Sequence, residues 1–272
     1  MKVHFFCSLW GMHQYSIEEA FEKIKKAGYD GVEMAYISGD HQPAKVKELA
    51  RYNQLELIVA QVFAQSDTFE GYAESFTQYI KEIASMEPLY IISQTGRDYY
   101  SFEQNSRLIE LSEQLSEELS IKIIHETHRG RFSFHGPTLI RYLKQFPKLR
   151  INADFSHWCV VSESLLEEQS DILQAAVERS DHIHARVGHS QAAQVTDPRA
   201  PEWEETLASH LSWWDDIIAS HKNTGSTRFN ITPEFGPEPY LPCAPYTQEP
   251  LANQWELNLY MKELLEQRYN QI

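Results

Sequence analysis

Leu149-Arg150-Ile151-Asn152-Ala153-Asp154, an amphipathic segment over 164–179, then Asp181-His182-Ile183-His184-Ala185-Arg186-Val187: this stretch reads as strand, helix, strand. Both outer segments alternate with a period of two, as strands do. Ile151, Ala153 and Phe155 share one face of the first, and Ile183, Ala185 and Val187 share one face of the second. The opposite faces carry Asn152 and Asp154, then His182, His184 and Arg186.

The same unit recurs in both directions along the 272 residues. Strands are expected over 3–9, 31–35, 55–61, 89–93, 121–126, 149–154, 181–187 and 228–234. The first helix opens on the capping box Ser16-Ile17-Glu18-Glu19 and stops at Gly28. Further helices are expected near 43–52, 68–86, 102–119, 137–146, 164–179 and 202–221, with a last one running to Arg268. Strict alternation calls for a parallel sheet. Eight pairs with no linker favour a closed (β/α)8 TIM barrel, a single α/β domain over 1–272, against an open doubly wound sheet.

Hydrophobic residues make up 42% and charged residues 23%, the balance of a globular chain able to bury a large core. A formal net charge of −15 repels phosphodiester backbones, so no nucleic-acid partner is expected. A local Arg cluster would still admit a small anionic substrate. Cys7, Cys159 and Cys243 are too few and too dispersed for a disulfide framework. The apolar start, 1–10, is short and contains His4, and it reads as a strand rather than a signal peptide. No stretch approaches about 18 apolar residues, so no membrane span and a cytoplasmic protein are expected.

In a barrel one strand face meets the helices and the other meets the lumen, so the apolar face fixes each strand's parity. Phe229, Ile231 and Pro233 facing outward turn Asn230, Thr232 and Glu234 inward. Ile121 and Ile123 facing outward place Ile124 and Glu126 inward. Four consecutive strands then end with inward Glu126, Asp154, His184 and Glu234 at the C-terminal mouth, where barrel active sites are built. Carboxylates converging there repel, and one divalent cation removes that penalty. Three carboxylates and one imidazole suit Mn²⁺, Mg²⁺ or Co²⁺, with Zn²⁺ as an alternative. The competing reading pairs each of the four with an Arg or Lys at the barrel rim.

At these residues the chain resembles the xylose isomerase-like TIM barrel superfamily, the sugar phosphate isomerase/epimerase group. The matching pieces are Phe5-Phe6-Cys7-Ser8-Leu9-Trp10-Gly11, Ala27-Gly28-Tyr29-Asp30-Gly31-Val32-Glu33, His125-Glu126-Thr127-His128-Arg129-Gly130, Asp154-Phe155-Ser156-His157-Trp158, His182-Ile183-His184 and Thr232-Pro233-Glu234-Phe235. The resemblance implies Glu126, Asp154, His184 and Glu234 as ligands of one metal ion. It implies Glu126 and Glu234 as the catalytic proton carriers, His157 as a hydrogen-bond partner of a substrate oxygen, and Arg186 as a cation for a hydroxyl or phosphate. The implied activity is a divalent-metal-dependent isomerase or epimerase of a sugar or sugar phosphate, acting by proton transfer through a metal-stabilised enediolate.

A keto-inositol-type dehydratase would use the same metal, and a barrel that only binds sugar would keep the site without catalysis. The superfamily's abasic-site endonucleases need extra histidines on early strands, where this chain has Gln61 and Gln94, and Arg199 rather than His follows Asp197. The ketose epimerases carry a second glutamate after the fifth-strand ligand. Here His128, Arg129 and Arg131 stand in that region, so the identity of the sugar does not carry over.

His128 either reaches the substrate or caps the loop after it. Glu33 either binds substrate or pairs with a rim Arg. Trp10 and Trp158 either stack on a sugar face or pack in the core. Trp213-Trp214 reads as helix–barrel core or a homo-oligomer contact, and His41, His210 and His221 as surface or capping residues. The loops over 188–201 and 236–250 are expected to cover the substrate.

Overall fold

Eight strands pair in chain order into a closed parallel barrel in the computed structural model, which describes residues 1–270. They are β1 (Lys2–Ser8), β2 (Gly31–Ala35), β3 (Glu56–Gln61), β4 (Ile91–Ser93), β5 (Ile123–Glu126), β6 (Ile151–Ala153), β7 (Ser180–Ala185) and β8 (Arg228–Pro233). The sheet closes where β8 returns to β1, with Lys2 opposite Arg228 and Phe5 opposite Ile231. The helices are α1 (Ile17–Lys26), α2 (Pro43–Tyr52), α3 (Phe69–Ala84), α4 (Phe102–Leu119), α5 (Gly136–Gln145), α6 (Ser156–Ser162), α7 (Ser170–Val177), α8 (Glu204–Asn223) and α9 (Gln254–Asn270). This is the single (β/α)8 barrel that the alternation predicts. Among the described residues no helix is long and apolar enough to cross a membrane.

The first unit shows why these residues form these elements. Ser16 caps α1 by accepting from the Glu19 backbone, and the Glu19 side chain returns to the Ser16 backbone. Ile17, Ala20, Phe21 and Ile24 recur at helical spacing and are buried, so α1 lays one stripe on the barrel. Burying Phe21 alone contributes about 2–3 kcal/mol.

Two apolar layers result. The larger lies between strands and helices and takes in Phe5, Ile151, Ala153, Ile183, Ala185, Phe229 and Ile231, the outward set of the parity argument, with Trp158, Trp213 and Trp214. The smaller plugs the lumen with Phe6, Ile58, Ala60, Tyr90, Ile92 and Ile124. That plug closes the barrel floor, so polar side chains above it are open to one end only.

One predicted helix is corrected. The segment over 164–179 is not continuous: α6 starts straight after β6, and α7 begins only at Ser170. Between them Glu163 and Leu166 take left-handed φ values of 48° and 61°, which no helix accommodates. His210 is also not a surface residue; it is fully buried in α8.

Candidate metal centre

A ladder of hydrogen bonds rises from the apolar plug. Asn230 Nδ2 donates to Tyr90 Oη (3.0 Å), and Tyr90 Oη lies 2.7 Å from His182 Nδ1. His182 Nε2 lies 3.0 Å from Thr232 Oγ1, and Thr232 Oγ1 donates to Glu33 Oε2 (2.6 Å). The directions are forced once Glu33 is ionised. Thr232 gives its proton to the carboxylate and accepts from His182 Nε2–H, so His182 Nδ1 accepts from Tyr90. Glu33 is buried, which opposes its charge, but His184 and His182 hold its carboxyl far below the usual range.

Glu33 Oε1 also lies 2.8 Å from His184 Nε2. With Nε2–H donating to Glu33, the Nδ1 lone pair of His184 is free. That nitrogen is buried and has no well-directed hydrogen bond, yet it stands 2.9 Å from Glu234 Oε2 and 3.5 Å from Glu126 Oε1. A lone pair facing two carboxylates is unfavourable unless a proton or a metal ion lies between them. Ligand atoms of Glu126, Asp154, His184 and Glu234 all lie within 4.8 Å of one another. A carboxylate behind the histidine is the usual support of a metal-bound imidazole. Three carboxylates and one correctly tautomerised imidazole therefore fit a divalent ion. Glu33 serves as an anchor for His184, and no Arg pairs with it among the described residues.

The rim-pairing alternative holds in part. Arg186 Nη2 bonds Asp154 Oδ2 and lies 3.4 Å from Glu234 Oε2, while Asp154 Oδ1 is held by the Ser156 hydroxyl. Both oxygens of Asp154 are engaged, but each carboxylate oxygen has a second lone pair for a metal. Burial raises Glu234, with His184 and Arg186 pulling the other way. Burial would also raise Glu126, but the His184 ring beside it, with His128 and Arg186, holds it at about 2. Burial would lower His184; Glu234 and Glu33 instead lift it well above its ordinary value.

The centre opens into a cavity of about 280 Å³ lined by Trp10, Glu33, Glu126, His128, His184, Arg186, Glu234 and others. That volume suits a small molecule. His128 sits in the wall, its Nδ1 donating to the Arg129 carbonyl (2.5 Å), so it both caps its loop and faces the cavity. His157 is not in the wall. It is fully buried, accepts from Arg186 Nη2 (3.0 Å) and leaves Nδ1 without a partner among the described residues. Trp158 belongs to the core, and its indole donates to the Ser133 carbonyl.

Trp10 packs edge-on against Tyr240 and close against Gly236, where a Cβ would fall 2.2 Å from the indole. A second cavity of about 540 Å³ lies on its other side, bounded by the β8 loop and α9. Of the two loops expected to cover the site, the later one supplies Tyr240 to the cavity wall. The earlier one acts through Gln194, whose side chain bonds both the N–H and the carbonyl of Gly236 (2.7 and 3.2 Å) and fastens the loops together.

Sequence reasoning misses Tyr240, and it places Gln94 and Arg131 near the site without a role. Gln94 Nε2 donates to Glu126 Oε2 (3.1 Å), and Arg131 Nη2 donates to Gln94 Oε1 (2.9 Å).

No family model and no curated protein matches the chain. Solved structures do. A 3-keto-D-glucoside 4-epimerase from E. coli superposes with a TM-score of 0.64 at 12% identity, over 97% of this chain and 99% of that one. A probable 3-DHS dehydratase of petrobactin synthesis from Bacillus anthracis gives 0.63 at 17%, over 97% and 99%. An endonuclease IV from Thermus thermophilus gives 0.61 at 14%, over 98% and 100%. The chain shares the (β/α)8 barrel fold of these structures. That fold carries several chemistries, so the site must decide between them.

Proposed function

We propose that this chain is a divalent-metal-dependent isomerase or epimerase of a small sugar or sugar phosphate. The observation that carries the reading is the free Nδ1 of His184, fixed by Glu33 and directed at Glu126 and Glu234. When bound, the cation supplies Lewis-acid stabilisation of negative charge developing on the substrate's carbonyl oxygen. Glu126, Asp154, His184 and Glu234 would hold it.

The chain's own groups do the rest. Glu126 and Glu234 flank His184 and face the same cavity, so either takes the proton from the carbon beside the carbonyl. Return by the same carboxylate to the neighbouring carbon gives an isomer. Return by the opposite one to the other face gives an epimer. Arg186 holds Asp154 in place and leaves buried Nη1 without a partner among the described residues, a donor for a substrate oxygen. Trp10 and Tyr240 wall the cavity and exclude water.

A second reading has its own support. His128 is held neutral by burial, and its Nδ1 bond leaves Nε2 facing a site that also contains Glu126. The Nε2 lone pair there would take the proton beside the carbonyl and return it to the hydroxyl on the next carbon, which leaves as water, and the enzyme would then be a dehydratase.

Metal analysis followed by solvent-deuterium exchange across ketoses, ketose phosphates and keto-inositols tests both. Exchange beside the carbonyl without water loss is expected; water loss selects the dehydratase. Glu234→Gln should lower metal content and cut exchange by roughly 100-fold or more. Unchanged metal and exchange in that variant would sink the site assignment.

A further inference from the structure

The cavity wall holds one cation that the metal centre does not use. Arg131 lines the cavity but, among the described residues, makes no ion pair, although acidic residues outnumber basic ones by enough to leave a net charge of −15. Its Nη2 is spent on the Gln94 side chain and the Val62 carbonyl (2.9 and 3.3 Å), while Nε and Nη1 have no partner among the described residues. The other guanidinium of the wall, Arg186, is committed to Asp154. Arg129, two residues before Arg131 in the same turn, is exposed and lies 4.9 Å over the ring of Tyr240, also without an ion pair among the described residues. The wall beside Arg131 is apolar, made by Ala35, Ala60, Val62 and Phe63. An unpaired guanidinium at the edge of a small-molecule site selects an anionic oxygen.

The geometry points to an anion subsite at Arg131, so that the substrate is a sugar acid or a sugar phosphate whose carbonyl end lies at Glu126 and Glu234. This rests on the isomerase reading and adds the substrate's charge to it. The subsite is wired to the reacting end. Arg131 donates to Gln94, and Gln94 donates to Glu126, so an anion that fixes the guanidinium also fixes a proton-carrying carboxylate. Binding energy from the remote group would thereby orient the reacting one.

Calorimetric titration of the metal-loaded protein with inorganic phosphate and with acetate tests the subsite without needing turnover. At least one anion is expected to bind, and Arg131→Gln should weaken it roughly tenfold or more at unchanged metal content. Arg131→Lys, which keeps the charge, should recover part of the loss. Binding of phosphate alone marks a phosphorylated substrate, and binding of acetate alone marks a carboxylate. Absence of binding, or equal binding by wild type and Arg131→Gln, overturns the subsite; the second outcome places the anion on the metal. Arg131-dependent binding with no exchange on any ketone substrate overturns the isomerase reading and leaves the subsite. Exchange on neutral ketoses with no Arg131-dependent binding does the reverse.

Discussion

Glu33 touches the candidate ligands through His184, and that makes it the most informative single residue. Its carboxylate receives Thr232 and His184 together, and no substitute matches both the charge and the geometry. Glu33→Gln keeps the size but removes the charge that fixes the His184 tautomer. Metal affinity should fall roughly 10–100-fold with all four ligands present, as titration with Mn²⁺ would report. Unchanged affinity would mean that His184 needs no anchor. The four candidate ligand positions are legible because each lies on or just past a strand whose other face is plainly apolar, as with Ile183 and Ala185 around His184. The roles of Gln94 and Tyr240 are not, because one follows a three-residue strand and the other lies in a Pro-rich loop with no period to read. Parity turns Arg186 inward, but its partner Asp154 is 32 residues away, and spacing does not say whether a guanidinium meets protein or substrate.

At the level of elements, α6 is the piece that sequence reasoning misplaces and the site depends on. Asp154 lies between β6 and α6, and the Ser156 N–H and hydroxyl both bond its Oδ1. The strands are readable from period two, and α1 from its Ser16–Glu19 capping box. A seven-residue helix starting directly on a strand end gives no periodicity and has no cap of its own. Its position is enforced instead by Gly188, after β7. A Cβ there would come 2.7 Å from Ser156 Cβ and 2.8 Å from its carbonyl oxygen. Gly188→Ala must push α6 away and take Asp154 with it. Stability should drop by about 1–3 kcal/mol in denaturant titration. Metal affinity should fall as well, although Gly188 is no ligand; retention of full affinity would show that the two segments move independently.

For the whole molecule, acid stability follows in part from a buried histidine of α8 that packs beside Gly188. His210 Nδ1 donates to the Thr206 carbonyl (3.0 Å) and Nε2 accepts from the Gly188 N–H (3.2 Å), so the ring has no place for a second proton. Burial pushes it down to about 4. In the unfolded chain an imidazole titrates near 6.5, so that state gains a proton the folded one refuses. His210 therefore contributes fully above about pH 6.5, and its contribution declines as pH falls toward 4, by about 3 kcal/mol at the limit. Neutralising some of the 39 acidic side chains relieves self-repulsion over the lower part of that range, but equally in any variant. The Tm of the wild type should thus fall more steeply from about pH 7 to 5 than that of His210→Gln, and equal slopes would remove His210 from the account. The molecule also carries a partition. Ser8 and Trp10 line both the cavity of about 280 Å³ and the neighbouring one of about 540 Å³, and the indole is the larger of the two side chains that they share. Gly236, close against that ring, offers no side chain to take its place. Substrate length is then a property of one codon. Exchange of the indole for a small side chain would join the chambers and admit longer molecules with the reacting centre untouched, so a lineage of such barrels can change what it accepts without relearning its chemistry.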